Sequence, residues 1–186
     1  MEVRWVRRYV IGITGSKGKG KTSFASVITY LLSINGYAAT VLHFADYIKR
    51  VAKECYNREI GSVHGKLSKK DREPLCRIGD GHRSIEPNCL VKVVERKIKE
   101  NRGFIIVADV RLKREADMIK RLGGKIIKIQ SDIFGRKENY MEDHLTETEV
   151  QTIKADFEIE NTGTFSDLVT EAKKVVSHYV KRRWKS

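Results

Sequence analysis

No apolar run in this 186-residue sequence approaches the roughly 20 consecutive residues that a membrane-spanning helix needs, so no such helix is expected. The apolar stretch "YVIGIT" follows Met1 within ten residues, but it lacks the length and the small-residue cleavage site of a signal peptide. The cytoplasm is the expected compartment. Cysteine is scarce: Cys55, Cys76 and Cys89 stand far apart, with no CxxC spacing and no adjacent histidine, which argues against a disulfide framework and a zinc site and leaves reduced thiols. Glutamine occurs only at Gln130 and Gln151 beside many lysines and glutamates, a bias found in proteins of thermophiles. Acidic residues are outnumbered by basic ones, 24 against 37, and the resulting charge of +13 calls for an anionic partner. Net charge alone does not separate nucleic acid from nucleotide; the location of the charge must decide.

What is present is a soluble globular composition, 40% hydrophobic and 33% charged, at a length that suits one domain with one core. "RRYVIGITG" reads as a strand ending in glycine, and "KTSFASVITYLLSING" as a helix stopped by Gly36. A second strand is expected over Tyr37 to Phe44, followed by the amphipathic helix "DYIKRVAKECYN". "FIIVADV" is a continuous apolar run of the kind buried on both faces of a parallel sheet. The helix "RLKREADMIKRLGG", the strands "KIIKIQ" and "DFEIEN", and a helix from about Thr164 to Tyr179 complete the chain. This alternation predicts an α/β three-layer domain with a mostly parallel sheet. Two polar segments, 57–91 and 131–149, interrupt it, and such insertions are where parallel sheets carry substrate loops and lids.

Between the first strand and the first helix lie Gly15, Ser16, Lys17, Gly18, Lys19, Gly20, Lys21 and Thr22, a full match to GxxxxGK[ST] in the context the motif requires. Its glycines let successive N–H groups form an anion nest at a helix N-terminus. ATP is the expected ligand, with Lys21 on the β and γ phosphates and the Thr22 hydroxyl on Mg2+. Asp109 ends the central strand within range of that cation and is the second expected metal ligand, with Arg111 just beyond it.

Two further absences narrow the class. A water-activating ATPase commonly carries a Glu beside the strand-terminal Asp, but Val110 and Arg111 follow Asp109. A GTPase would show Asn-Lys-x-Asp, whereas the nearest string, "IKAD", has Ile153 where the base-reading amide belongs. Phosphoryl transfer to a bound acceptor remains, and it needs arginines and a cover against water. Gly79 and Gly81 are expected to let the chain fold back between Arg72 and Arg83, and Thr146 with Glu149 reads as a capping box that starts a helix.

The loop, "FADYIKRVA", "REPLCRIGDGHRSIEPN", "ADVRLKREADMIKRLGGKIIKI", "DHLTETEV" and "ADFEIENTGTFSDL", in this order, resemble the deoxynucleoside monophosphate kinases of viral type, within the P-loop nucleoside monophosphate kinases. The resemblance spans most of the chain. It implies a single P-loop kinase domain over 1–186 with a five-stranded parallel sheet, an acceptor-binding insertion at about 57–91 and a lid at about 131–149. By the same resemblance the acceptor meets Asp46, Lys49, Arg72, Arg83, Arg111, Asp143 and His144, while Asn161 and Gly163 close over the adenine. Arg136, in the expected lid, is the choice for the transferring phosphoryl group, because a planar fork suits three equatorial oxygens. Asp46 also reads as a helix N-cap, and Asn161–Gly163 as a plain turn. Cys76 departs from the family pattern, which usually has Gln there, and base preference is left open.

The implied reaction is transfer of the γ-phosphate of ATP to a deoxynucleoside monophosphate. A kinase like that of dephospho-coenzyme A shares the loop, an Asp after the second strand and the Asn-x-Gly turn. A nucleic-acid-binding P-loop ATPase would account for the charge and for the tail "YVKRRWKS", but no nucleic-acid module is recognisable and no stable nucleic-acid complex is expected. A homodimer is compatible with the sequence.

Overall fold

Five short apolar strands lie parallel in one sheet, in the order β2-β3-β1-β4-β5, with helices on both faces. The computed structural model describes residues 7–16, 18–56, 69–131 and 145–181. Chain order is β1 Tyr9–Thr14, α1 Lys21–Ile34, β2 Ala39–Leu42, α2 Ala45–Tyr56, α3 Lys69–Ile85, α4 Cys89–Glu100, β3 Phe104–Val110, α5 Lys113–Arg121, β4 Lys125–Gln130, α6 Leu145–Thr152, β5 Phe157–Glu160 and α7 Phe165–Lys181. The expected α/β class and five-stranded parallel sheet are therefore observed. The second strand is shorter than the expected span of 37–44.

The pleat divides the strand side chains between two apolar layers. Ile11, Ile13, Phe104 and Ile106 pack with α1 and α7 through residues such as Phe24 and Leu168. Val10, Ile105 and Val107 face the other way, toward Ile48, Val94, Ile98 and Ile119 of α2, α4 and α5. Along β1 and β3 the alternation breaks near the carboxyl ends: Gly12 pairs with Val107 but Thr14 with Val110, so one extra β3 residue is accommodated. After this bulge Val110 lies with Ile105 and Val107 rather than with Ile106 and Ala108. A bulge at this place re-aims the strand end that carries Asp109.

From β1 the chain crosses to β2 on one side, and from β3 it crosses to β4 on the other. The carboxyl ends of β1 and β3 therefore flank the crevice at which open α/β sheets bind ligands.

One local expectation is corrected. Gly79 and Gly81 make no fold-back, because α3 runs unbroken from Lys69 to Ile85. Gly79 serves a close approach instead: a Cβ there would stand 3.0 Å from Ile48 Cδ1 and 3.1 Å from Arg83 Nη2, so the missing side chain lets α2 pack and lets the Arg83 guanidinium lie back along its own helix. Glu149, paired with Thr146 in the expected capping box, has a partner on another helix. Its carboxylate accepts the Lys113 N–H of α5 at 2.9 Å, and Thr146 lies inside α6.

Candidate active site

The Gly15–Thr22 loop joins β1 to α1 with Gly15, Gly18 and Gly20 at positive φ. At Gly15 (φ 139°) a Cβ would meet the Ile129 carbonyl oxygen at 2.4 Å, so both backbone angle and space demand glycine. Gly20, also left-handed, is the N-cap of α1, which has no side-chain cap of its own. The first amides of α1 thus stay available to an anion. Lys21 is 8% exposed, and its Nζ donates to the carbonyls of Gly15 (2.6 Å) and Ser16 (2.8 Å), so its charge sits inside the nest. Thr22 is exposed at the first turn of α1, where a hydroxyl can reach a cation. Backbone conformation, open helix end and enclosed cation all fit a nucleotide triphosphate.

Other elements fix this loop from outside. Lys19 Nζ donates to the Ser131 carbonyl at the end of β4. Asn161, buried after β5, donates from Nδ2 to the Lys19 carbonyl at 3.1 Å, while its Oδ1 accepts the Gly163 N–H at 3.2 Å. The Asn-x-Gly turn therefore exists, and its amide side chain holds the loop backbone. Gln151 of α6 donates from Nε2 to Ser16 Oγ at 2.7 Å.

Across the crevice, Asp109 accepts the N–H groups of Phe44 (2.8 Å) and Ala45 (3.1 Å), and His43 Nδ1 stands 4.0 Å from its Oδ2. The carboxylate thus ties the end of β3 to the start of α2, complementing that helix's positive end. Asp46 lies inside the first turn of α2 rather than at its N-cap and reaches back to accept the His43 N–H at 3.3 Å, and Lys49 lies one turn on, partly buried.

Arg72 and Arg83 share α3. Eleven residues apart on one helix, they lie on one face about 16 Å apart along the axis. Cys76 stands between them in the helix, and its half-buried thiol feels the surrounding charges. Burial raises its pKa, Asp80 raises it further, and Arg72, Arg111 and Arg83 all pull it down. The charges of three guanidinium groups, two on α3 and one in the β3–α5 loop, are therefore all felt at this thiol. Arg83, its side chain 13% exposed, is held by Asp80 at 2.6 Å.

Sequence reasoning missed Glu115. This residue is 4% exposed, and its Oε2 accepts the N–H groups of Arg111 (2.7 Å) and Leu112 (3.0 Å). The visible signal was a glutamate at the third position of a helix, where it reaches back to the cap. Burial drives its pKa up from 4.5 to about 7, with Asp109 adding to the rise, while the two N–H groups and the Arg111 charge oppose it. The native state therefore binds this proton more tightly than the unfolded chain does. Its stabilising effect is complete below pH 4.5 and falls by about 3 kcal/mol as pH rises to about 7, above which both states are ionised. Glu115→Gln keeps an accepting oxygen but cannot ionise. Urea melts between pH 4.5 and 8 should show a shallower loss of stability in the variant than in the wild type; parallel profiles would refute the assignment.

Lys17, Arg136, Asp143 and His144 lie outside the described residues, as do most of the expected lid and the first part of the 57–91 insertion. Among the described residues no group of three or more His, Cys, Asp or Glu side chains is placed to hold a metal, and no helix is long and apolar enough to cross a membrane.

The sequence model of the deoxynucleotide monophosphate kinase family matches residues 83–172, just under half of the chain. A protein of Acanthamoeba polyphaga mimivirus, provisionally named a deoxynucleotide monophosphate kinase, is 27% identical over 188 residues, covering 87% of this chain and 93% of its own. The chain is similar in sequence to the deoxynucleotide monophosphate kinases. The match begins at Arg83 and takes in Asp109, Arg111, Glu115, Glu149, Gln151 and Asn161. The fold agrees with that of solved P-loop kinases. Shikimate kinase from Acinetobacter baumannii superposes with a TM-score of 0.53 at 13% identity, covering 94% of both chains. A gluconokinase from Sinorhizobium meliloti gives 0.51 at 13% identity, covering 95% of both. These likenesses show the architecture alone; the family matches support a phosphotransferase with a nucleotide substrate.

Proposed function

We propose that this protein transfers the γ-phosphate of ATP to a deoxynucleoside monophosphate. The observation behind this reading is the nest enclosing Lys21, together with the charges of Arg72, Arg83 and Arg111, all of which are felt at the Cys76 thiol. An acceptor phosphate oxygen forms the new P–O bond to the γ-phosphorus while the bond to the β–γ bridging oxygen breaks. The products are ADP and a deoxynucleoside diphosphate.

In this reading Gly15 to Thr22 hold the triphosphate, Thr22 and Asp109 serve the magnesium site, and the metal when bound offsets charge on the β and γ oxygens. Asp109 would act there while keeping its bonds to Phe44 and Ala45. Asn161 and Gly163 support the loop beside the adenine, and Asp46 and Lys49 flank the acceptor. Arg136, Asp143 and His144 belong to the lid side of the same single domain, which works in the cytoplasm.

The test is an acceptor panel. Purified protein with ATP and Mg2+ is offered each deoxynucleoside and ribonucleoside monophosphate and dephospho-coenzyme A, with both products quantified by chromatography. Equimolar ADP and deoxynucleoside diphosphate are expected. ADP formed only with dephospho-coenzyme A, or no diphosphate from any monophosphate, would overturn the proposal.

A further inference from the structure

Helix α6 touches both halves of the site. Gln151 Nε2 donates to Ser16 Oγ of the phosphate loop at 2.7 Å, and Glu149, two residues earlier, accepts the Lys113 N–H at 2.9 Å at the start of α5. Residues two apart on a helix point to nearly opposite sides, so α6 is wedged between these partners rather than laid along one of them. Its seat is firm: Val150 and Ile153 are buried, and Lys128 of β4 donates to the Gln151 carbonyl at 3.2 Å.

The α5 end of this bridge is a built structure. Arg111 N–H and Leu112 N–H go to the buried Glu115 carboxylate, and Lys113 N–H goes to Glu149, so carboxylates fix three successive amides beside Asp109 and Arg111. Glu115 comes from α5 itself and cannot report on the phosphate loop. Glu149 can, because its helix also holds Ser16.

We infer that α6 is a strut that transmits occupancy of the phosphate loop to the β3–α5 loop, with Gln151 and Glu149 as its positioning residues. A nucleotide that orders Ser16 lowers the freedom of Gln151, hence of α6, hence of the amide that Glu149 holds. The loop carrying Arg111 is thereby ordered before an acceptor arrives. The acceptor then meets a site whose ordering cost has been partly met, which is positive coupling without a large movement. This rests on the nucleotide reading of the phosphate loop.

Hydrogen exchange separates the two ideas. Peptides spanning 13–24 and 110–117 are followed with and without a non-hydrolysable ATP analogue and Mg2+, in wild type, Gln151→Ala, Glu149→Ala and Glu149→Gln. In wild type both peptides should slow on adding the analogue. In Gln151→Ala and Glu149→Ala the first peptide should still slow, while the added protection of the second drops by about threefold to tenfold, the range for loss of one hydrogen bond. Glu149→Gln retains an accepting oxygen and should keep most of the response, which mere loss of helix packing would not predict. Equal protection of 110–117 in wild type and both alanine variants would overturn the strut, as would a wild type in which only the first peptide responds. If the first peptide does not respond in wild type, the nucleotide reading fails and the strut with it.

Discussion

Lys21→Ala is expected to lower phosphoryl-transfer turnover by a factor of about a hundred to a thousand, the usual loss when one preorganised group facing developing charge is removed. The Lys21 ammonium is enclosed and donates to the carbonyls of Gly15 and Ser16, so the cation is already in the nest before a nucleotide arrives. Binding exchanges these carbonyls for phosphate oxygens without bringing a charge in from solvent, and in so enclosed a place its attraction is far less screened than in water. The fold should survive, since alanine favours the first turn of α1 and the Gly15 and Ser16 carbonyls can turn to water. Lys21→Arg should not restore activity: the charge returns, but the larger planar group does not fit between those two carbonyls. Turnover measured by ADP release, with a thermal melt on each variant, decides it. A folded Lys21→Ala protein with wild-type turnover would remove the loop from the chemistry.

The features legible from sequence are those set by neighbours along the chain. "KIIKIQ" is β4 and "FIIVADV" is β3 to the residue, and in β3 burial on both faces leaves Phe104 to Ala108 without a polar interruption. The phosphate loop was equally clear, since its glycines and Lys21 act through local backbone. Contacts between distant segments were not legible. Gln151 meets Ser16 across 135 residues, Asp109 meets Phe44 across 65, and Glu149 meets Lys113 across 36. Each is a side chain reaching a partner that only the strand order brings near, so Glu149 reads from sequence as the cap of its own helix and Asp109 as a metal ligand alone. Gly79 shows the same limit: glycine announces a need for freedom or for space, and only the packing of Ile48 and Arg83 shows that space is what it supplies.

Replacing Arg83 by Ala should raise the Michaelis constant for the acceptor by about tenfold to a hundredfold, the worth of a hydrogen bond to a charged group, and leave that for ATP nearly unchanged. Arg83 is tied to Asp80 and lies over Gly79, so little entropy is lost when it meets a phosphate. Arg72 should show the same pattern from the other end of the face, three turns away, since its charge, like those of Arg83 and Arg111, is felt at the Cys76 thiol. A dianion held from three directions keeps its attacking oxygen in line with the γ-phosphorus, so turnover should also fall as the phosphate drifts. Lysine at either position should rescue only in part, because it supplies charge without a bidentate fork. Asp80→Asn should give a smaller rise, since it frees Arg83 without removing it. Wild-type constants for both substrates in both alanine variants would place the acceptor phosphate elsewhere. Arg111 would then be the stronger candidate, because Arg77 is spent on Glu73 at 2.6 Å on an open surface.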